Sequence, residues 1–321
     1  FWPRGDRSIA ILPFEDFSPA GDQAYLGNGI ADELRLELQR LEGLRVAGRT
    51  SSNAYAREST KSIGEMLNVE SLLEGSVRKE GDNVRITVQL TDVDDGLTIW
   101  SESYNRKLGE IFEMQEDIAT EVAARLGVSL GVGGINAFRG AGTRNIEAYE
   151  AYLRARGQRY TDAGVAEAIS LLERAVQLDP EYAAAWAELA IRVLNGVWGV
   201  GVDEGTEISR RAYQLGLRAV ELDPESADVK SGLAMIKMNR FDWIGAEQDS
   251  LHAIELLSDR LTIERYALML MRSGRSSEAE KQFHAAVAEE PLDGHTHGQI
   301  WHVYLAQGRL EEAQAILDRS G

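Results

Sequence analysis

The chain has 321 residues, no cysteine, and 34 Lys+Arg against 52 Asp+Glu, which gives a formal net charge of −18. The length suits two domains at roughly 100 to 200 residues each, and a chain that is 44% hydrophobic and 27% charged has globular composition. No run of Lys and Arg offers a cationic face to phosphates, so nucleic-acid binding by this segment is excluded; the missing thiols exclude disulfides, thiolate nucleophiles and Cys-ligated zinc, and leave the compartment open.

No window approaches the ~20 apolar residues that span a bilayer. Phe1-Trp2-Pro3-Arg4 lacks an initiator Met and reads as a boundary inside a longer protein, either the interfacial end of a membrane helix or an arbitrary cut. Ser8–Phe14 then reads as a buried strand, Ser18–Asp22 as a loop, and Gly29–Leu41 as a helix, with Ile30, Leu34, Leu38 and Leu41 on one stripe and Gly43 ending it. A strand over Leu44–Ala47, a short helix over Lys61–Leu67 and a strand over Ser71–Val77 follow. The period then changes to two: Val84, Ile86, Val88 and Leu90 alternate with polar residues between the turn sequences Gly81-Asp82-Asn83 and Asp94-Asp95-Gly96. That pattern predicts an antiparallel meander over residues 72–104 whose last strand is Leu97–Trp100, and a helix over Ile111–Leu126 completes the domain. The order is β-α-β-α-β-β-β-α, an α/β domain with a mixed sheet over residues 1–130. Residues 131–143 read as a glycine-rich linker, and residues 144–321 carry helix patterns only.

The second half repeats. Ala168, Ala212, Ala246, Ala279 and Ala313 superimpose at intervals of 44, 34, 33 and 34, a second alanine recurs seven later (Ala175, Ala219, Ala253, Ala286), and a proline twelve later in three repeats (Pro180, Pro224, Pro291). A period of 34 with paired amphipathic helices resembles the tetratricopeptide repeat. Small residues let the two helices of a pair approach, and the proline stops the second helix. Ser258 departs from the proline, Gly216 from a bulky residue, and an apolar, glycine-rich insertion occupies 196–206. The expectation is about five helix pairs in an all-α tetratricopeptide solenoid.

Ser8–Phe14, Gly29–Leu34, Arg49–Tyr55, Leu73–Arg78 and Ile99–Tyr104 together resemble the TolB-like amino-terminal domain. That family precedes tetratricopeptide repeats in bacterial proteins that begin with a class III nucleotide cyclase or a winged-helix DNA-binding domain, and the layout is similar to the periplasmic half of CadC-type regulators. The resemblance implies a regulatory or extracytoplasmic module and carries no catalytic residues with it.

Ligands of open α/β sheets sit beyond the carboxyl ends of strands. Here that region collects Glu15, Asp16, Ser18, Asn28, Arg49, Ser51 and Ser52, an arrangement able to hold an anionic or polar small ligand. In the alternative reading, Ser51 and Ser52 cap a short helix and Arg49 pairs with Asp16 or Glu15. Asp92–Gly96 lacks the spacing of a calcium loop. His295, His297 and His302 are poorly spaced for shared metal ligation, and nucleophile elbows and phosphate-binding loops are absent, so no metal, cofactor or catalytic residue is expected. The family's inward-facing positions fall on Asn195, Met235, Met238, Asn239, Met271, Arg272, His295 and His302, a groove for a protein or peptide partner.

The function expected from the sequence is a non-catalytic sensory and interaction region, periplasmic or otherwise extracytoplasmic, or alternatively cytoplasmic. It would be joined to the membrane only through a helix outside this chain, would relay to a cyclase or transcription-regulator domain, and homodimerisation is a further expectation. The alternative is a small-molecule-binding or enzymatic α/β domain with the repeats as scaffold.

Overall fold

A computed structural model describes residues 7–41, 43–56, 58–128, 142–159, 161–195, 202–290 and 293–320, the side chains of 202–204 and 317–320 excepted. Phe1–Arg4, most of the 131–143 linker, the Gly196–Gly201 part of the insertion and Pro291 lie outside the described residues. The chain forms two compact units, Phe1–Leu153 and Arg154–Gly321.

The first unit is built on a mixed sheet of β1 (Arg7–Ile11), β2 (Glu15–Asp16), β3 (Leu44–Val46), β4 (Ser71–Glu80), β5 (Asn83–Asp92) and β6 (Thr98–Lys107), in the order β3-β1-β4-β5-β6. β1 lies parallel to β3 and β4, whereas β4, β5 and β6 form the expected antiparallel meander. β2 was not anticipated. Pro13 cannot donate to the ladder, so the edge of β4 is paired first by β1 through Leu73 and resumes with β2 at Ser76 and Val77. β6 runs seven residues past its expected end because its polar residues alternate with Trp100 and Tyr104, which are buried on one face.

Helices α1 (Ala24–Gln39) and α4 (Ile111–Arg125) pack on one face; α2 (Arg49–Tyr55) and α3 (Thr60–Leu67) lie on the other, where Ile63 joins Ala10, Leu12, Val69, Leu72 and Val93 in a buried cluster. α1 starts five residues earlier than its hydrophobic stripe suggests. Asp16 accepts a hydrogen bond from Gln23 N at 2.6 Å and so fixes the start. Gly27 and Gly29 do not break the helix; they admit the Phe14 carbonyl and the Leu153 side chain, which a Cβ would meet at 2.6 and 2.5 Å. Leu153 belongs to α5 (Ile146–Gly157), where Tyr149 accepts a hydrogen bond from Gln115 at 3.0 Å and Glu150 pairs with Lys79 at 2.5 Å. The division between the units falls within this helix.

The second unit is all helix: α6 (Asp162–Leu178), then the antiparallel pairs α7 (Ala183–Asn195) and α8 (Val202–Leu222), α9 (Ala227–Asn239) and α10 (Trp243–Leu256), α11 (Arg260–Arg272) and α12 (Ser276–Glu289), α13 (Gly294–Ala306) and α14 (Leu310–Ser320). All nine aligned alanines are buried, eight of them fully and Ala313 at 2% exposure. The carbonyls of Ala175, Ala219, Ala253 and Ala286 each accept the last bond of their helix, from the residue four positions on, at 2.9 to 3.1 Å. The fold is thus an α/β unit followed by a tetratricopeptide solenoid. Asp242, Asp259 and Asp293 cap α10, α11 and α13 in turn, each accepting from the backbone N–H three residues on.

Five residues before its alanine, each of the last two pairs has a glycine at positive φ (Gly274, +83°; Gly308, +74°) followed by an arginine, and that arginine reaches back to the previous repeat (Arg275 to Glu247 at 2.7 Å, Arg309 to Glu280 at 2.8 Å). The same position in the α9/α10 pair is Phe241, held at φ +62° with 76% of its surface exposed. A left-handed conformation at a non-glycine residue costs about 1 kcal/mol or more. Phe241→Gly is therefore expected to raise stability by about 1 kcal/mol, read as a higher urea midpoint of the second unit; an unchanged or lower midpoint would show that the Phe241 side chain compensates the backbone.

Candidate functional site

In the first unit Asp16 and Ser18 bond to one another, and Arg49 and Ser52 take partners elsewhere. Asp16 accepts from Ser18 N at 2.8 Å and Gln23 N, and although burial opposes ionisation, these bonds and the Ser18 hydroxyl hold its pKa below the usual carboxylate value. Ser18 Oγ in turn accepts from Lys79 N at 2.9 Å. Asn28 is exposed in the second turn of α1 and not at a helix N-terminus. Arg49 pairs with Asp32 at 3.1 Å, with neither Asp16 nor Glu15. Asp32 also holds Arg35 at 2.7 Å, and Arg35 donates to the Ile11 carbonyl at 2.6 Å, so this buried pair ties α1 to the end of β1 and leaves Arg49 on its rim. The cap of α2 is Gly48; Ser52 donates back to the Gly48 carbonyl at 2.9 Å, and Ser51 Oγ is buried without a hydrogen-bond partner. Ser52 thus ties the first turn of α2 to its cap residue.

In the second unit the first helices of consecutive pairs (α7, α9, α11, α13) pack on one another, and the second helices do not stack to the same extent. The first helices therefore form a continuous wall, and the candidate groove residues lie along it. Met238 is a correction: at 1% exposure it belongs to the core with Tyr266, Leu270 and Phe283 and has no surface for a partner. Met235 and Met271 are half-buried against the same core. Asn195 is half-buried, and Asn239 donates to its own helix at Met235 O, 3.0 Å. Arg272, His295 and His302 reach solvent; desolvation by the surrounding wall lowers the Arg272 pKa. The histidines go to separate partners, His302 to Gly298 O at 2.8 Å, His297 to Asp293 O at 3.0 Å and His295 to Glu264 at 2.5 Å.

His295 belongs to a cluster that the sequence reading missed. Glu264 on α11 and Asp293 at the start of α13 are both buried, and with His295 they place one potential ligand atom each within 4.8 Å of one another, a donor set of the kind a divalent cation uses. Arg260 already supplies the positive charge, lying 3.1 Å from Asp293 and pairing with Glu264 as well. Burial pushes the Asp293 carboxyl up, but bonds from Thr296 and the Arg260 charge outweigh this and lower its pKa. The hydrogen bond to Glu264 raises that of His295. The partners sit 29 to 31 positions apart, close to one repeat period, and that spacing is the signal which could have found them.

No family model matches the chain. Over 192 residues it is 33% identical to the protein named "Putative adenylate cyclase 3" of Rhizobium meliloti (strain 1021), a stretch that is 59% of this chain and 33% of that protein. The chain thus spans about a third of that relative's length. Among solved structures, a thermophilic TPR protein of Thermus thermophilus superimposes with a TM-score of 0.43 at 16% identity over 62% of this chain and 96% of its own. TolB from Acinetobacter baumannii does so at 0.31 and 18% identity, over 39% and 29%. These are loose superpositions, and the repeat fold rests on the buried alanines and helix pairing described above.

The raised His295 pKa has a direction for stability. Protonated His295 stabilises the folded state fully below its ordinary pKa of 6.5, and the contribution is lost as pH rises through the raised value. Chemical unfolding at a series of pH values is expected to show stability of the second unit falling above pH 6.5, with that component of the slope absent in His295→Gln; an identical slope in the variant would remove the pairing from the account.

Proposed function

We propose that this chain is the non-catalytic sensory and protein-interaction region of a larger bacterial signalling protein, in which the repeat unit binds a protein or peptide partner along its wall of first helices and relays to a cyclase or transcription-regulator domain. The observation that carries the reading is that wall: α7, α9, α11 and α13 pack side by side and carry Asn195, Met235, Asn239, Met271, Arg272 and His302, each at least partly accessible. Similarity to a relative named as an adenylate cyclase supports the signalling association and favours a cyclase as the output domain. The TolB-like reading of the first unit, residues 131–143 as a hinge, homodimerisation and an extracytoplasmic location reached through a membrane helix belong to the same proposal. No helix among the described residues is long and apolar enough to cross a membrane.

Peptides selected from a random library on the full chain test the groove. The combined variant Asn239→Ala, Arg272→Ala, His302→Ala is expected to weaken selected peptides at least tenfold, about 1.4 kcal/mol, while leaving the unfolding midpoint within error. Peptides that bind the variant and the parent equally would move partner binding off this wall.

A further inference from the structure

The face of the sheet that carries α2 and α3 is not apolar along its whole length. Beyond the Leu72 and Val93 cluster it becomes a polar strip whose rows follow from the strand register. In one row Glu15 stands beside Ser76, Ser76 beside Thr87, and Thr87 beside Ser103; in the next, Glu74 faces Gln89, which faces Ser101. A cleft of about 270 Å³ opens over this strip, with Glu15, Glu74, Ser76, Thr87 and Gln89 along its lining. Leu12, Pro13 and Ala56 supply an apolar wall. Pro13, in the break between β1 and β2, lines its edge.

Among the described residues the two carboxylates of the cleft have no counter-charge. Neither Glu15 nor Glu74 meets a hydrogen-bond donor or a cation among the described residues, and Arg78, the next cation along β4, pairs with Glu80 at 3.6 Å. Glu74 is half-buried, and its burial together with the Glu15 charge raises its pKa. Half-burying an unpaired carboxylate next to a second one is unfavourable for the empty protein, and a cation that paired with both would relieve it. The remaining groups limit which cation fits. Hydroxyl and amide oxygens of Ser76, Thr87 and Gln89 accept further donors, which suits an ammonium with three N–H or a guanidinium with five. The apolar wall would cover a methylene stem, and the cleft has the size of a small organic group.

We propose that this cleft binds an organic cation, an alkyl-ammonium or alkyl-guanidinium group, with Glu74 and Glu15 as its counter-ions. The same chemistry comes from two sources, a free amine or the arginine or lysine side chain of a polypeptide. The proposal stands independently of the repeat groove.

The test is titration of the isotope-labelled full chain, followed by NMR, with agmatine as the free cation and N-acetyl-arginine methylamide as the peptidic one. Saturable shifts of the amides around Glu74 and Ser76 are expected with at least one probe, and the tighter of the two identifies the source. Glu74→Gln and Glu15→Gln, which keep shape and remove charge, are each expected to weaken binding at least tenfold. In the parent chain the Glu74 carboxyl carbon is expected to titrate at lower pH when the probe is bound, a readout that needs no variant. Absence of saturation by either probe, equal binding by both variants, or saturation by calcium in place of both probes would overturn the assignment.

Discussion

The second unit depends on one steric constraint, the contact of each first helix with an alanine of its partner. Ala212, Ala246, Ala279 and Ala313 lie on the second helices of the four pairs, and none retains more than 2% of its surface. A larger side chain there would force the pair apart at about 1 to 3 kcal/mol per site. Because the next pair stacks on the same core, that displacement would propagate to the following contact. The larger residues fill what the alanines leave: Phe283, Ile300 and Val303 are buried between them, and Ile236 takes the space that Gly216 vacates. The helix order along the wall, and so the spacing of any groove residue, follows from this close approach.

Ionic contacts set the register that the alanines permit. Arg275 and Arg309 stand at equivalent positions and each clamps a glutamate one residue beyond the alanine of the preceding pair. Surface pairs of this kind are worth ~1 kcal/mol or less each, so their role is to select one stacking geometry more than to supply stability. Arg260 does the same at greater depth, where Glu264 and Asp293 are both buried and breaking one partner would leave an uncompensated charge. Phe241 is the exception to the repeat. It occupies the left-handed turn position that its neighbours fill with glycine and is followed by Asp242 in place of an arginine, so this one turn carries strain and lacks the clamp.

Much of this was legible in the sequence because it is periodic. The alanines at intervals near 34 announce the helix pairs, and strict alternation from Val84 to Leu90 announces the meander. What was not legible is of two physical kinds. Short elements such as β2 have no period to detect; they exist because β4 is long enough to be paired twice around Pro13. Side-chain pairings between elements are set by packing, so Arg49 finds Asp32 on α1, a residue whose helical position looks purely structural in the chain. Met238 failed as a groove residue for a related reason: residues three apart share a helix face, and Met235 and Met238 both turn toward the same core, which buries Met238 fully.

The distribution of neutralised charge separates structure from chemistry. With a net charge of −18 the chain has more carboxylates than cations to pair them, yet the buried ones named here are supplied: Asp32 by Arg35 and Arg49, Glu264 and Asp293 by Arg260. Exposed carboxylates can remain unpaired at little cost because water solvates them. Glu74 fits neither class. It is half-buried on a sheet whose other face is packed with apolar residues, and strand pairing places the exposed Glu15 in the adjoining row beside Ser76. A folded scaffold gains nothing from that arrangement, since a glutamine at position 74 would keep the shape and remove the repulsion. The physical argument for retaining it lies in what the site can attract: a positive group with its own apolar stem.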